Sequence, residues 1–281
     1  MKSVRWIFGL LCFLFYFTGD LCAQLITHSL DDEVALYAAT KQVNQFFRRF
    51  NNEESIDGTR YYEKDSLYRN PATRAVFLNL LFDKENRQIS EGIKLQFIQE
   101  VGHPDKPVYL DFHGGNWLAE VSAIFYWEGK EVTTTLFLKL QEEKVGSKWV
   151  IDRICFKPFQ EYFRKDTLDT VHFLHPLSHE LEFMNLYDVF RDEKKVLQDY
   201  TERNFTPDFL ALFLYEVKRG NLRFKTVKDV EFHFFQIDHW YFKLSQFNRK
   251  GYNTGWLISD LIKVNAKEKD ELLKRIYNRY E

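Results

Sequence analysis

The sequence predicts an α+β fold of two tandem domains, each with N-terminal helices packed on a curved antiparallel sheet, and three observations carry that reading. A prolyl helix start, Asn70-Pro71 and later Thr206-Pro207, precedes a Trp-led apolar strand in each half, Trp117 to Trp127 and Trp240 to Phe247. Each half then closes on a Trp-aliphatic segment, Trp149 to Ile154 in the first and Trp256 to Leu261 in the second. Helical spacing comes first and period-two alternation follows it, which is the order of an α+β chain rather than of parallel βα units.

Residues 1–23 read as a secretory signal peptide. Lys2 and Arg5 lead the apolar run Trp6 to Phe17, and Leu21-Cys22-Ala23 precedes Gln24 as a small-residue cleavage site. The run is shorter than the ~20 apolar residues that span a bilayer, so no stable membrane span is expected after cleavage; a retained anchor is the alternative. The expected location is periplasmic or secreted. Removal of the signal leaves Cys155 as the lone cysteine, so the core must hold without an intramolecular disulfide. With 28 Phe, 15 Tyr and 6 Trp the chain has the rings to build one, since each buries roughly 150–250 Å². The 39 basic and 41 acidic residues are interspersed, which gives no concentrated basic face for nucleic acid.

The first domain is expected over 24–163. Asp31 and Asp32 offer caps to a helix with Leu36, Val43, Phe46, Phe47 and Phe50 at helical steps. Asn70-Pro71 opens a second helix, with Val76, Phe77, Leu80 and Leu81 as its expected buried stripe. Strands are predicted at Leu95 to Gln99 and Val108 to Phe112, then from Trp117 to Trp127 after the Gly114-Gly115 turn. Glu128-Gly129-Lys130 is a hairpin turn leading to strands at Val132 to Gln141 and Lys148 to Phe156.

A linker is expected over 164–177, where Arg164 to Thr170 is polar and aperiodic. The second, shorter domain is expected over 178–265, with a helix capped by Ser178, a helix opened by Thr206-Pro207 and ended by Gly220, and strands at Val230 to Ile237, Trp240 to Phe247 and Thr254 to Val264. Leu272, Leu273, Ile276 and Tyr280 mark an amphipathic helix in the final stretch, 266–281, packed on its own domain or on a partner.

Helices followed by an antiparallel meander that ends in Lys148-Trp149-Val150-Ile151-Asp152-Arg153-Ile154 resemble the ketosteroid isomerase-like, or nuclear transport factor-like, cone fold. The resemblance covers roughly residues 31–160 and a shorter stretch, 178–265. It implies a bent sheet wrapped around helices with a pocket at its wide end, in a family of isomerases, dehydratases, assembly domains and noncatalytic pocket proteins. No catalytic position of that family transfers to a matching residue here.

Within such a pocket Asp111 and His113, two apart on one strand face, would form an acid/base pair with Glu120 or Tyr126; a solvated strand face is the other account. Trp117, Glu120, Ser122, Tyr126 and Trp149 are the expected ligand-binding residues. Glu120 becomes an inward carboxylate if its face is the concave one. His172, His175, His179 and Glu180 cluster, but Pro176 interrupts them and helix capping explains them without a metal. No phosphate loop, nucleophile elbow or Cys pair is present. The expected function is an exported, noncatalytic binding or scaffold protein, without cofactor or metal, engaging a protein partner or a small apolar ligand. The alternative is an isomerase or hydrolase using Asp111, His113, Glu120 or Tyr126.

Overall fold

The computed structural model describes residues 43–55, 57–144, 146–163, 173–191, 197–249 and 253–280. The signal segment, the Asp31 and Asp32 caps, Leu36, most of the linker and His172 lie outside the described residues. The chain is α+β, with one six-stranded antiparallel sheet and several helices. It divides into two units: the described residues up to Phe112 with Gln246–Ser259, and His113–Ser245 with the residues from Asp260 onward.

In the first unit, helix α1 (43–51) buries Val43, Phe46, Phe47 and Phe50, the stripe its spacing predicts. Helix α2 (Pro71–Leu80) starts where Asn70 accepts hydrogen bonds from the Ala72 and Thr73 amides. Its buried face carries Arg74 and Leu78 rather than Val76, which is 61% exposed. The Arg74 guanidinium donates to the carbonyls of Phe50 (3.0 Å), Val101 (3.1 Å) and Val108, and lies 4.4 Å from the Tyr109 ring centroid.

Two strands expected here are corrected. Residues around Leu95 belong to helix α3 (Glu91–Val101), capped by Ser90, with Lys94, Phe97 and Val101 buried and Leu95 exposed. The period-two reading of Ile93, Leu95 and Phe97 loses to a capped helix whose four-residue spacing packs Phe97 edge-on to Phe50 and Phe82. Val108 to Phe112 joins no sheet; the Val108 N–H bonds the Val101 carbonyl, and side chains take other backbone groups of the segment. Arg74 holds the Val108 carbonyl, and the Asn51 amide both donates to the Leu110 carbonyl (2.8 Å) and accepts from its N–H (2.9 Å). Elsewhere in the unit Phe82 bridges Ile258 in parallel, and Arg249 pairs with Asp83 and Glu85.

The sheet runs in the order β3-β2-β1-β4-β5-β6, so strands from both halves of the sequence share it. Strands β1 (Trp117–Trp127) and β2 (Lys130–Glu143) meet at a two-residue hairpin, Glu128 and Gly129, both with φ above +20°. That backbone matches the twist of the flanking strands. Strand β3 (Gly146–Cys155) pairs with β2, and β4 (Leu222–Phe234) pairs with the whole of β1 through two register shifts that accentuate the twist. Strands β5 (Trp240–Phe247) and β6 (Gly255–Lys263) complete the order.

Alternation along β1 gives each face its own core in the second unit. Leu118, Phe137, Cys155 and Tyr241 pack with Val264, Ile276 and Tyr277, the last two from helix α7 (Ala266–Tyr277). Ala123, Phe125 and Ile154 pack on the other face with Phe159 of α4 (Lys157–Tyr162) and Phe213 of α6 (Phe209–Arg219). Cys155 is a small buried residue whose thiol donates to the Tyr277 carbonyl (3.4 Å).

The segment after the linker differs from a single helix capped by Ser178. His175 caps a 3₁₀ turn (Pro176–Leu181), left-handed residues Glu182 and Phe183 end it, and α5 (Asn185–Arg191) follows. Asp208, not Thr206, caps α6, whose Gly220 end has φ +79° as expected. The terminal helix α7 is fixed by a reciprocal cap between Asn265 and Glu268.

Candidate functional site

Glu120 sits mid-strand in β1, opposite Phe137 on β2 and Glu231 on β4. Its carboxylate lies on the face shared with Leu118, beneath the core that α7 closes. There Glu120 Oε2 meets His233 Nε2 at 2.9 Å, and His233 Nδ1 meets the Tyr241 hydroxyl at 2.9 Å. Glu120, His233 and Tyr241 are 4%, 0% and 1% exposed, so the line of polar groups is sealed within the sheet and its helix.

With a neutral imidazole, Nε2–H donates to the Glu120 carboxylate and Nδ1 accepts the Tyr241 hydroxyl, which satisfies both ring nitrogens. Burial, reinforced by the Asp260 carboxylate, pushes the Tyr241 phenol well above its ordinary range. Tyr241 therefore stays a neutral hydrogen-bonding group rather than an activated nucleophile. Glu231, half-buried, closes the group: its Oε1 accepts from Lys243 Nζ (2.7 Å) and Ser245 Oγ (3.1 Å). Glu120, Glu231 and His233 each bring one metal-capable ligand atom to within 4.8 Å of the others.

The other expected residues are dispersed. Tyr126 shares the Glu120 face but lies six residues further along β1, about 20 Å at the strand rise. It lines a shallow cleft of about 370 Å³ with Trp127, Glu128, Gly129, Gly220, Asn221 and Arg223, and its ring is 5.4 Å from Lys225 Nζ. Ser122 is half-buried between these two positions. His113 precedes the sheet, is exposed and bonds Ser147 Oγ through Nδ1 (2.9 Å). Asp111 is exposed in the first unit and belongs to no strand. Thus the shared strand face expected of Asp111 and His113 does not form.

Trp117 and Trp149 lie on the opposite face from Glu120. Their rings meet edge-on at 5.1 Å, and Phe234 stacks on Trp117 at 5.4 Å. Trp117, 3% exposed, is core filling. Among the histidines of the second cluster, His175 caps the Leu177 amide and His179 contacts the Pro176 carbonyl, both local backbone roles.

Sequence reasoning singled out Glu120 but missed its partners His233, Tyr241 and Glu231. The available signal was Glu231-x-His233 on one strand face amid Phe232 and Phe234, a polar pair where a buried strand would otherwise be apolar.

The first unit carries a wider cleft of about 540 Å³, lined by Arg48, Glu53, Arg60, Tyr61, Tyr62, Glu63, Lys64 and Tyr68. Arg69 fixes Glu53 at 2.6 Å, and Tyr62 is 65% exposed. No helix among the described residues is long and apolar enough to cross a membrane. No family model, curated protein or solved structure matches the chain.

Proposed function

We propose that this chain is an exported, noncatalytic binding protein that engages a protein partner through the tyrosine-rich cleft of its first unit. The carrying observation is that cleft: three tyrosines beside Arg48, Arg60 and Lys64 on an open surface. Tyr and Arg are the side chains that dominate protein–protein hot spots, because each gives large contact area together with directional polar groups. The sealed Glu120 carboxylate supports a noncatalytic reading, since it is enclosed by His233 and core side chains and lies about 20 Å along the strand from Tyr126.

The resemblance to the cone-fold family is part of the same proposal, as that family contains noncatalytic binding members. The doubled Trp-led and Trp-aliphatic strands then read as two three-stranded meanders, β1 to β3 and β4 to β6, joined side by side in one sheet.

Saturation binding of the labelled protein to isolated envelope fractions tests the idea, with Y62A and R60A as the contrast. Saturable retention that weakens by about tenfold or more in either variant is expected for a hot-spot residue. Retention indifferent to both substitutions, or none at all, would count against the cleft.

A further inference from the structure

Two carboxylates face each other across neighbouring strands at Glu120 and Glu231, and His233 follows on the same face. Like charges directly opposed on a sheet destabilise it, and burial of one of them strengthens the repulsion. Lys243 supplies one positive charge, at Glu231.

We propose that Glu120, Glu231 and His233 bind a single divalent transition-metal ion of the zinc class, with His233 Nε2 and one oxygen of each carboxylate as ligands. Imidazole nitrogen with two carboxylates is a donor set suited to Zn²⁺, Co²⁺ or Mn²⁺. Ligand atoms already lying within 4.8 Å of one another need only a small closure to reach the roughly 3.4 Å spacing of a tetrahedral set with bonds near 2.1 Å. The ligands stand on two paired strands, which pre-position them.

The outer contacts are those a metal site requires. In the bound form the imidazole carries its proton on Nδ1 and donates it to the Tyr241 oxygen, which fixes the ring with Nε2 toward the ion. Lys243 and Ser245 hold Glu231 Oε1 and so orient its carboxylate. Glu231 is the half-buried member, so the ion enters from its side, while Glu120 and His233 form the dry floor. The competing account is a proton on His233 in place of the metal.

Equilibrium dialysis and visible absorption of the chelator-stripped full chain with Co²⁺, repeated with Zn²⁺, decide between them. About one equivalent per chain is expected, with the ligand-field bands of a low-symmetry Co²⁺ site and a raised Tm on loading. E231Q, which keeps the side-chain shape at the half-exposed position, should abolish binding while its circular dichroism stays native. Y241F should weaken binding by about 10–100-fold as an outer-contact variant. The proposal is overturned if the folded chain takes up neither ion saturably, if E231Q binds as the parent does, or if uptake is lost in H175A/H179A instead.

Discussion

Arg74 replaces an apolar side chain in the core of the first unit because three backbone carbonyls from separate segments converge on it. Only a guanidinium has donors in enough directions to hold all of them. Its burial lowers its pKa to about 10, the direction desolvation imposes on a cation. R74A should destabilise the chain by about 2 kcal/mol or more, since the Phe50 and Val108 carbonyls lose this donor at roughly 1–3 kcal/mol each while the Val101 carbonyl keeps the Val108 N–H; R74K should recover only part of this in urea denaturation. Tyr241 makes the complementary case for an acid. Its folded pKa is raised above the ordinary 10.0 by burial, so the unfolded chain releases a proton near pH 10 that the folded chain keeps. Stability from this group is intact below pH 10 and is lost as pH climbs beyond it. Y241F should flatten the alkaline limb by about 1.4 kcal/mol per pH unit, although Tyr277, raised by burial too, keeps part of the slope. Alkaline unfolding followed by circular dichroism reads both effects.

Helix α7 shows how an element with a high polar content is held. The Asn265–Glu268 cap fixes its start, Lys269 donates to the Phe235 (2.9 Å) and Ile237 carbonyls, and Ile276 and Tyr277 enter the core over β1. Its amphipathic stripe was legible in the sequence because a 3.6-residue period needs no knowledge of the partner surface. I276A should cost about 2–5 kcal/mol as a buried truncation and N265A about 1 kcal/mol as a lost cap. Helix α3 supplies the contrast. L95A should change stability by less than about 0.5 kcal/mol because the side chain is exposed, whereas F97A, at a fully buried position, should cost about 3–5 kcal/mol. Equal losses at both positions would fit a strand that buries the one face Leu95 and Phe97 would share, not this helix.

Across the whole molecule, the order of strands in the sheet departs from a simple walk along the chain, since β1 has β2 on one side and β4 on the other. A fragment ending at Phe163 would lose β4, which pairs with β1 along its full length, and would lose Gln246–Ser259 from the first unit. Such a fragment should lack cooperative unfolding and near-ultraviolet dichroism, because an exposed β1 edge and half a core do not offset chain entropy. A well-dispersed NMR spectrum from it would instead establish two self-sufficient modules.

What the sequence determined by itself was local: the Asn70-Pro71 start, the Glu128-Gly129 turn, the left-handed Gly220 end and the two-residue alternation of β1. Each depends on backbone and side-chain preferences within a few residues. Tertiary structure alone decided that Leu110 gives its backbone groups to Asn51 and Val108 its carbonyl to Arg74, and that Glu120 meets a histidine 113 positions away. Those outcomes turn on polar groups finding partners once water is excluded, and that requirement exists only after the chain has brought distant segments together.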